Sequence, residues 1–244
     1  MSKPKRKLLQ QRKELIERYI RLAVYRKTIK RSHALARRVA RLKFWWAERE
    51  KKRALESALE TVAFEAARAR KNGFEAVTNV LNLGLFFLIA ERDIQAVKID
   101  ALTHPDPWRR SLAARIMLLT IHELDIDKVA GNKLRQALQD GVVPEELQNA
   151  VTEAMRTIRK AQSRAQRQFA NLRNSTIAHR DPDAIRQYRD IVGIDGLDVV
   201  SMAAEFYEGT HLFIAVLPKL VTHLGTWPAL LSQLSAQENR KVSV

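Results

Sequence analysis

The residues best suited to chemistry crowd one short segment, Asn171-Leu-Arg-Asn-Ser-Thr-Ile-Ala-His-Arg-Asp-Pro182. Arg173, Asn174, His179, Arg180 and Asp181 fall there within ten residues. Arginine offers a permanent forked donor set that matches a phosphate. Histidine, with an ordinary pKa near ~6.5, gives or takes a proton around neutrality. Asn174 can hold either group by hydrogen bonds, and Arg180 supplies a second phosphate contact. A phosphate binder beside a general acid/base is the minimum kit for cutting RNA without a metal. The ribose 2′-OH attacks the adjacent phosphorus while one group removes its proton and another protonates the leaving oxygen. The same cluster also fits a capping network: Asp181 at the start of the next helix, Arg180 paired with Asp183, His179 on a terminal carbonyl.

The segment must sit at the end of a helix. Pro144-Glu-Glu starts an amphipathic pattern that runs through Leu147, Val151, Met155 and Ile158 to Phe169 and Leu172. Asp181-Pro182 resists continuing it, because the residue before a proline is pushed out of the α region. His179 then lies at or just past the helix C-terminus, where the last carbonyls favour its protonated form. Arg173 and His179 are six positions apart, about 120° around a straight helix at ~100° per residue. Convergence therefore requires a distorted helix end or a second copy of the chain related by symmetry.

Arg173-Asn174 followed by Ala178-His179 resembles the R-x(4–6)-H motif of HEPN proteins, and R-N-x-x-x-A-H-R-D is most similar to the abortive-infection and toxin-type members of prokaryotes. The resemblance covers about residues 145–220 and implies an α-helical bundle that homodimerises and cuts RNA without metal or cofactor. Arg173 and His179 would be catalytic, and Asn174 would orient the histidine. Members often act as toxins or in phage defence; others are non-catalytic nucleic-acid-binding or dimerisation modules. Residues 1–140 match no pattern of that family.

The elements around the motif read as all-α. The 244 residues hold only 8 glycines and 7 prolines, with no strand alternation anywhere. Zero cysteines exclude a disulfide scaffold, a thiolate metal site and a cysteine nucleophile. Phosphate-cradling glycine loops are missing, and the six histidines show no metal-ligand spacing, so no metal site is expected. His104, His122, His211 and His223 are expected in packing roles.

Charge divides the chain. Residues 1–53 hold 20 of the 43 Lys+Arg and 4 of the 27 Asp+Glu; the rest is balanced, so the whole formal +16 lies in the first fifth. The division reads as a basic helical arm, 1–72, then a bundle carrying the motif, 73–235, then a C-terminal tail, 236–244. The arm's tracts, Lys3–Lys7, Arg26–Arg31, Arg37–Lys43 and Arg49–Arg53, suit a polyanion. RNA is the expected partner; anionic lipid and an acidic inhibitor or sensor protein are the alternatives. An apolar stripe through Leu35, Val39, Leu42 and Trp46 needs something to pack on, and Trp45 and Trp46 could stack on unpaired bases, though Trp46 belongs to the stripe. A helix break is expected near Ser32-His33, because one helix to Gly73 would be ~100 Å long. Asp106-Pro107 reads as a helix start, Asp195 and Asp198 as candidate caps of the last long helix, roughly Leu197–Leu217, and Pro218 as its stop. Val80–Ala90 is too short to span a membrane, so a cytoplasmic protein without a spanning helix is expected.

Overall fold

The computed structural model describes residues 3–173 and 183–242. The protein is all-α. Among the described residues there are nine helices and no strand: α1 (Lys3–Lys71), α2 (Glu75–Thr103), α3 (Pro107–His122), α4 (Ile126–Val129), α5 (Gly131–Asp140), α6 (Glu145–Arg173), α7 (Ala184–Val192), α8 (Gly196–Leu224) and α9 (Trp227–Val242).

The bundle is organised around α2, which packs against α1, α3, α5 and α8. Its sequence is apolar on nearly every side, as a helix buried by several neighbours must be. Val80, Leu83, Phe87 and Ile94 are fully buried, and the Phe87 ring meets Phe213 of α8 edge-on at 5.3 Å. Ile89, by contrast, reaches solvent. The other main contact joins α6 to α8. Small residues on α6 (Ala154, Ala161, Ala165) and Gly209 on α8 let these helices approach closely around Ile158, Met202 and Phe206.

Short polar caps set the helix starts. The Asp106 carboxylate accepts from Trp108 N at 2.9 Å, with Pro107 at the first helical position, and the Asp195 carboxylate accepts from Leu197 N at 2.8 Å. Both starts agree with the sequence reading. The cap of α7 is Asp183, which accepts from Ile185 N and Arg186 N at 3.0 and 3.1 Å; Asp181 lies outside the described residues.

Four expectations are corrected. First, α1 does not break near Ser32-His33; it runs unbroken from Lys3 to Lys71. No glycine or proline lies between Pro4 and Gly73 to stop it, and Arg, Lys, Ala, Leu and Glu are all good helix formers. The body does not need to cover the whole helix: the ion pairs that tie α1 to α2 begin at Arg41–Asp100. Second, Trp46 is not packed. Leu35, Val39, Leu42 and Trp46 are all exposed, at 64, 46, 61 and 63%, whereas further along α1 Leu55 and Ala69 are buried. Third, Pro218 does not end α8. The helix continues to Leu224 because Leu217, Leu220 and Leu224 are buried on its core side, which outweighs the one backbone bond a proline forfeits. Fourth, the residues from 236 continue α9 to Val242.

Among the described residues no single helix is long and apolar enough to cross a membrane. The bent pair Gly196–Leu224 and Trp227–Ala236, at 79°, reaches that length and composition only together.

Candidate functional site

The helices on either side of the motif are firmly held. The core face of α6 is buried from Val151 through Ala154, Ile158 and Ala161 to Ala165. Toward the motif end, Arg164 forms an ion pair with Glu205 of α8 and lies 3.5 Å from the Ser201 hydroxyl. Arg173 is the last residue of α6. Asn174, His179 and Arg180 lie outside the described residues, so the meeting of Arg173 with His179 stands as an expectation.

The chain re-enters the bundle at α7, which is fastened to α3. Ile191 is buried, and its carbonyl accepts from the Ser111 hydroxyl at 2.7 Å. One helical turn away, Tyr188 stacks on Trp108, with ring centroids 6.5 Å apart and planes at 22°. Both rings remain exposed, at 60 and 48%. On the same side of α3, the Arg115 guanidinium lies 5.9 Å from the centre of the Trp108 ring, within cation–π range. The Arg115 Nε is buried with no hydrogen-bond partner, and burial holds this guanidinium below its usual pKa. Together with the starts of α3 and α8, these helices enclose a cleft of about 500 Å³.

Arg110 lines that cleft and donates to the carbonyls of His104 and Pro105 at 2.7 and 3.3 Å. Burial and the nearby charge of Arg37 on α1 lower its pKa, against the opposing pull of Asp106. The positive charge of Arg37 on the arm thus reaches Arg110 of the bundle. The carboxylates nearby are already engaged, since Asp106, Asp183 and Asp195 each cap a helix. This aromatic and arginine cluster was not foreseen. Trp108 and Tyr188 are 80 residues apart, and no local pattern announces that their helices meet.

On the arm, acidic side chains face the body. Glu48 pairs with Lys98 at 2.6 Å and Glu56 with Arg92 at 3.0 Å. Of the arm's cations, Arg38, Lys43 and Arg53 are exposed with no acidic partner among the described residues. Trp45 and Trp46 meet edge-on at 5.5 Å, and the Arg49 guanidinium lies 5.8 and 6.0 Å from their ring centres.

The chain matches no family model, no curated protein and no solved structure.

Among the described residues no three His, Asp or Glu side chains gather as a metal cluster. Three histidines have local partners. His104 Nδ1 accepts from Asp106 N at 3.1 Å, His122 Nδ1 is 3.2 Å from Glu123, and His223 Nε2 reaches the carbonyls of Gly141 and Val142 at 3.1 and 3.2 Å. His211 is exposed, and its charge favours the ionised form of Glu91.

Proposed function

We propose that the protein is a metal-independent endoribonuclease of the HEPN type, acting as a toxin or phage-defence effector. The observation that carries this reading is the Arg173-Asn174…Ala178-His179 pattern, beginning on the last residue of a long, well-packed helix in an all-α bundle. Arg173, with Arg180, binds the scissile phosphate. His179, oriented by Asn174, acts as general acid/base. The 2′-OH loses its proton and attacks phosphorus, the bond to the 5′ oxygen breaks, and that oxygen takes a proton. The products are a 2′,3′-cyclic phosphate and a 5′-hydroxyl. Two chains acting as a dimer would bring two arginines and two histidines around one phosphate and so overcome the ~120° divergence of a single helix.

The arm supplies affinity. Arginines and lysines facing solvent along α1 bind RNA phosphates irrespective of sequence by releasing condensed counterions. The test is degradation of RNA by the wild type beside His179→Ala and Arg173→Ala, all in EDTA. Cleavage by the wild type alone, leaving cyclic phosphate ends, is the expected result. Equal cleavage by all three moves the chemistry to another site, and no cleavage by any favours a non-catalytic binding module.

A further inference from the structure

We infer that the Trp108–Tyr188 pair is a stacking platform for the unpaired bases of single-stranded RNA, with Arg115 and Arg110 receiving the adjoining phosphates. That the strand is RNA rests on the ribonuclease reading above; that it is single-stranded follows from the platform itself.

Two aromatic rings at 22° and 6.5 Å, each about half exposed, present flat faces on which a base can lie. A base inside a duplex already has stacking partners on both sides and offers no free face, so the platform selects unpaired nucleotides. The charges around it point the same way. Arg115 sits against Trp108 with a buried Nε that no group among the described residues satisfies, and it forms no ion pair with a carboxylate among those residues. A half-buried cation without a counterion is costly and is relieved by an anion brought by a ligand. Arg110 stands near Arg37 at the foot of the arm, a second place where positive charge accumulates. Arg109 and Arg189, exposed on the same two helices, have no acidic partner among the described residues. Asp106 and Asp195 at this cleft also cap helices, although the Asp106 charge still acts on Arg110. Guanidiniums with no carboxylate ion pair among the described residues, beside exposed rings, suit a nucleotide strand. A purely apolar partner would bury those cations without relief.

The location is also apt. Tyr188 lies on α7, the first helix after the motif, and five residues beyond its capping Asp183. Arg37 connects the cleft to the basic arm. A strand held along the arm would pass the arginine pair and seat bases on the platform close in sequence to the catalytic segment.

The test is binding of the full chain to three fluorescent probes of equal length, followed by anisotropy. These are a 2′-O-methyl single strand, which lacks the attacking hydroxyl, an RNA duplex, and an abasic strand with the same phosphates. Tyr188→Ala is compared with Tyr188→Phe, with thermal melts to establish that both fold. Loss of one stacked base is worth ~1–3 kcal/mol, or about 5- to 150-fold in affinity. The expected result is a loss in that range for Tyr188→Ala on the single strand, none on the duplex or abasic probe, and wild-type affinity for Tyr188→Phe. Arg115→Gln should weaken the single strand and reduce its salt dependence. Equal loss on all three probes, or no loss on any, overturns the inference. So does a variant that changes the sedimentation of the free protein while leaving RNA affinity intact, which would make the face a contact between chains. Because the probe cannot be cut, these outcomes are independent of cleavage. Failure of the ribonuclease reading appears separately, as intact unmodified RNA bound with the same stacking preference.

Discussion

Gly209→Ala is the sharpest test of how the helix that carries the motif is held. A Cβ added at Gly209 would stand 2.6 Å from Ile158 Cγ1, 2.8 Å from Ile158 N and 3.2 Å from its Cα. Ordinary carbon contacts lie at about 3.5–4.0 Å, and a backbone nitrogen inside a helix cannot step aside alone. The whole of α6 must therefore move away from α8 by roughly 0.5–1 Å. Overpacking of this kind costs about 1–3 kcal/mol, while replacing a mid-helix glycine by alanine returns ~1 kcal/mol of propensity. The net expectation is a loss of about 0–2 kcal/mol. Gly84→Ala is the matched control. Its Cβ would meet side-chain atoms of Leu217, the nearest at 2.7 Å, and of Ile214 at 3.8 Å, with no backbone among them, and the Leu217 side chain can rotate away. With the same propensity gain it should be neutral within about 1 kcal/mol. Urea unfolding followed by helical circular dichroism gives both values, with an unchanged slope expected for each. Because Arg173 lies at the far end of α6, about 22 Å from Ile158 at ~1.5 Å per residue, RNA cleavage should also fall in Gly209→Ala and persist in Gly84→Ala. A Gly209→Ala protein as stable as Gly84→Ala would refute the claim that backbone contact fixes this crossing.

Three further outcomes are expected. Burial raises the Glu91 carboxyl above its ordinary value of 4.5, with Thr210, His211 and Lys98 pulling the other way. The folded chain thus holds that proton to higher pH than the unfolded one, so its contribution favours folding at low pH and is lost as pH rises through the raised value. Thermal melts should show the wild type losing ground to Glu91→Gln between pH 4.5 and neutrality; a gain with rising pH would contradict this. Val142, exposed and at φ 45, occupies a left-handed conformation that a β-branched residue tolerates poorly, so Val142→Gly should stabilise by ~1 kcal/mol in the same urea assay. Replacing Arg38, Lys43 and Arg53 together by Gln should lower the slope of log affinity against log salt by about 2 on a single strand, at ~0.7 per phosphate contact; an unchanged slope would place these cations away from RNA.

What was legible in the sequence was local. Scarce glycine and proline with helical periodicity are enough for an all-α chain, and Asp106-Pro107 and Asp195 mark their helix starts because a cap is decided by adjacent residues. The misses were questions of context. The expected break in α1 assumed that every turn of a helix must be covered, whereas the first part of α1 runs past the end of α2. Pro218 reads as a stop because the residues that bury Leu217, Leu220 and Leu224 around it lie on other helices. The stripe at Leu35–Trp46 has the spacing of a packed face and is nonetheless exposed; spacing names a face but not its neighbour. For the motif, residue type supplies the chemistry of Arg173 and His179, while their separation around the helix leaves convergence to the tertiary or quaternary structure.

The placement of carboxylates explains why the charge asymmetry survives folding. A chain with a balanced body could neutralise its arm by turning acidic side chains toward it. Here Glu48 and Glu56 on the arm reach Lys98 and Arg92 of the body at 2.6 and 3.0 Å and the arm's own Lys51 and Lys52 only at 3.9 and 3.8 Å, so their closer pairing is with the body. At the other end of the contact Arg41 takes Asp100, while Arg37, four residues earlier, meets Arg110. The next acids, Asp106, Asp183 and Asp195, are tied to backbone N–H groups that would otherwise be orphaned at helix starts. Removing any one of them to neutralise an arginine would cost a cap worth ~1 kcal/mol and gain an exposed ion pair worth less. Positive charge along α1 and around Trp108 is therefore the lower-energy arrangement for the isolated chain. Under the proposed function a bound polyanion supplies the neutralisation, and its affinity should respond to salt accordingly.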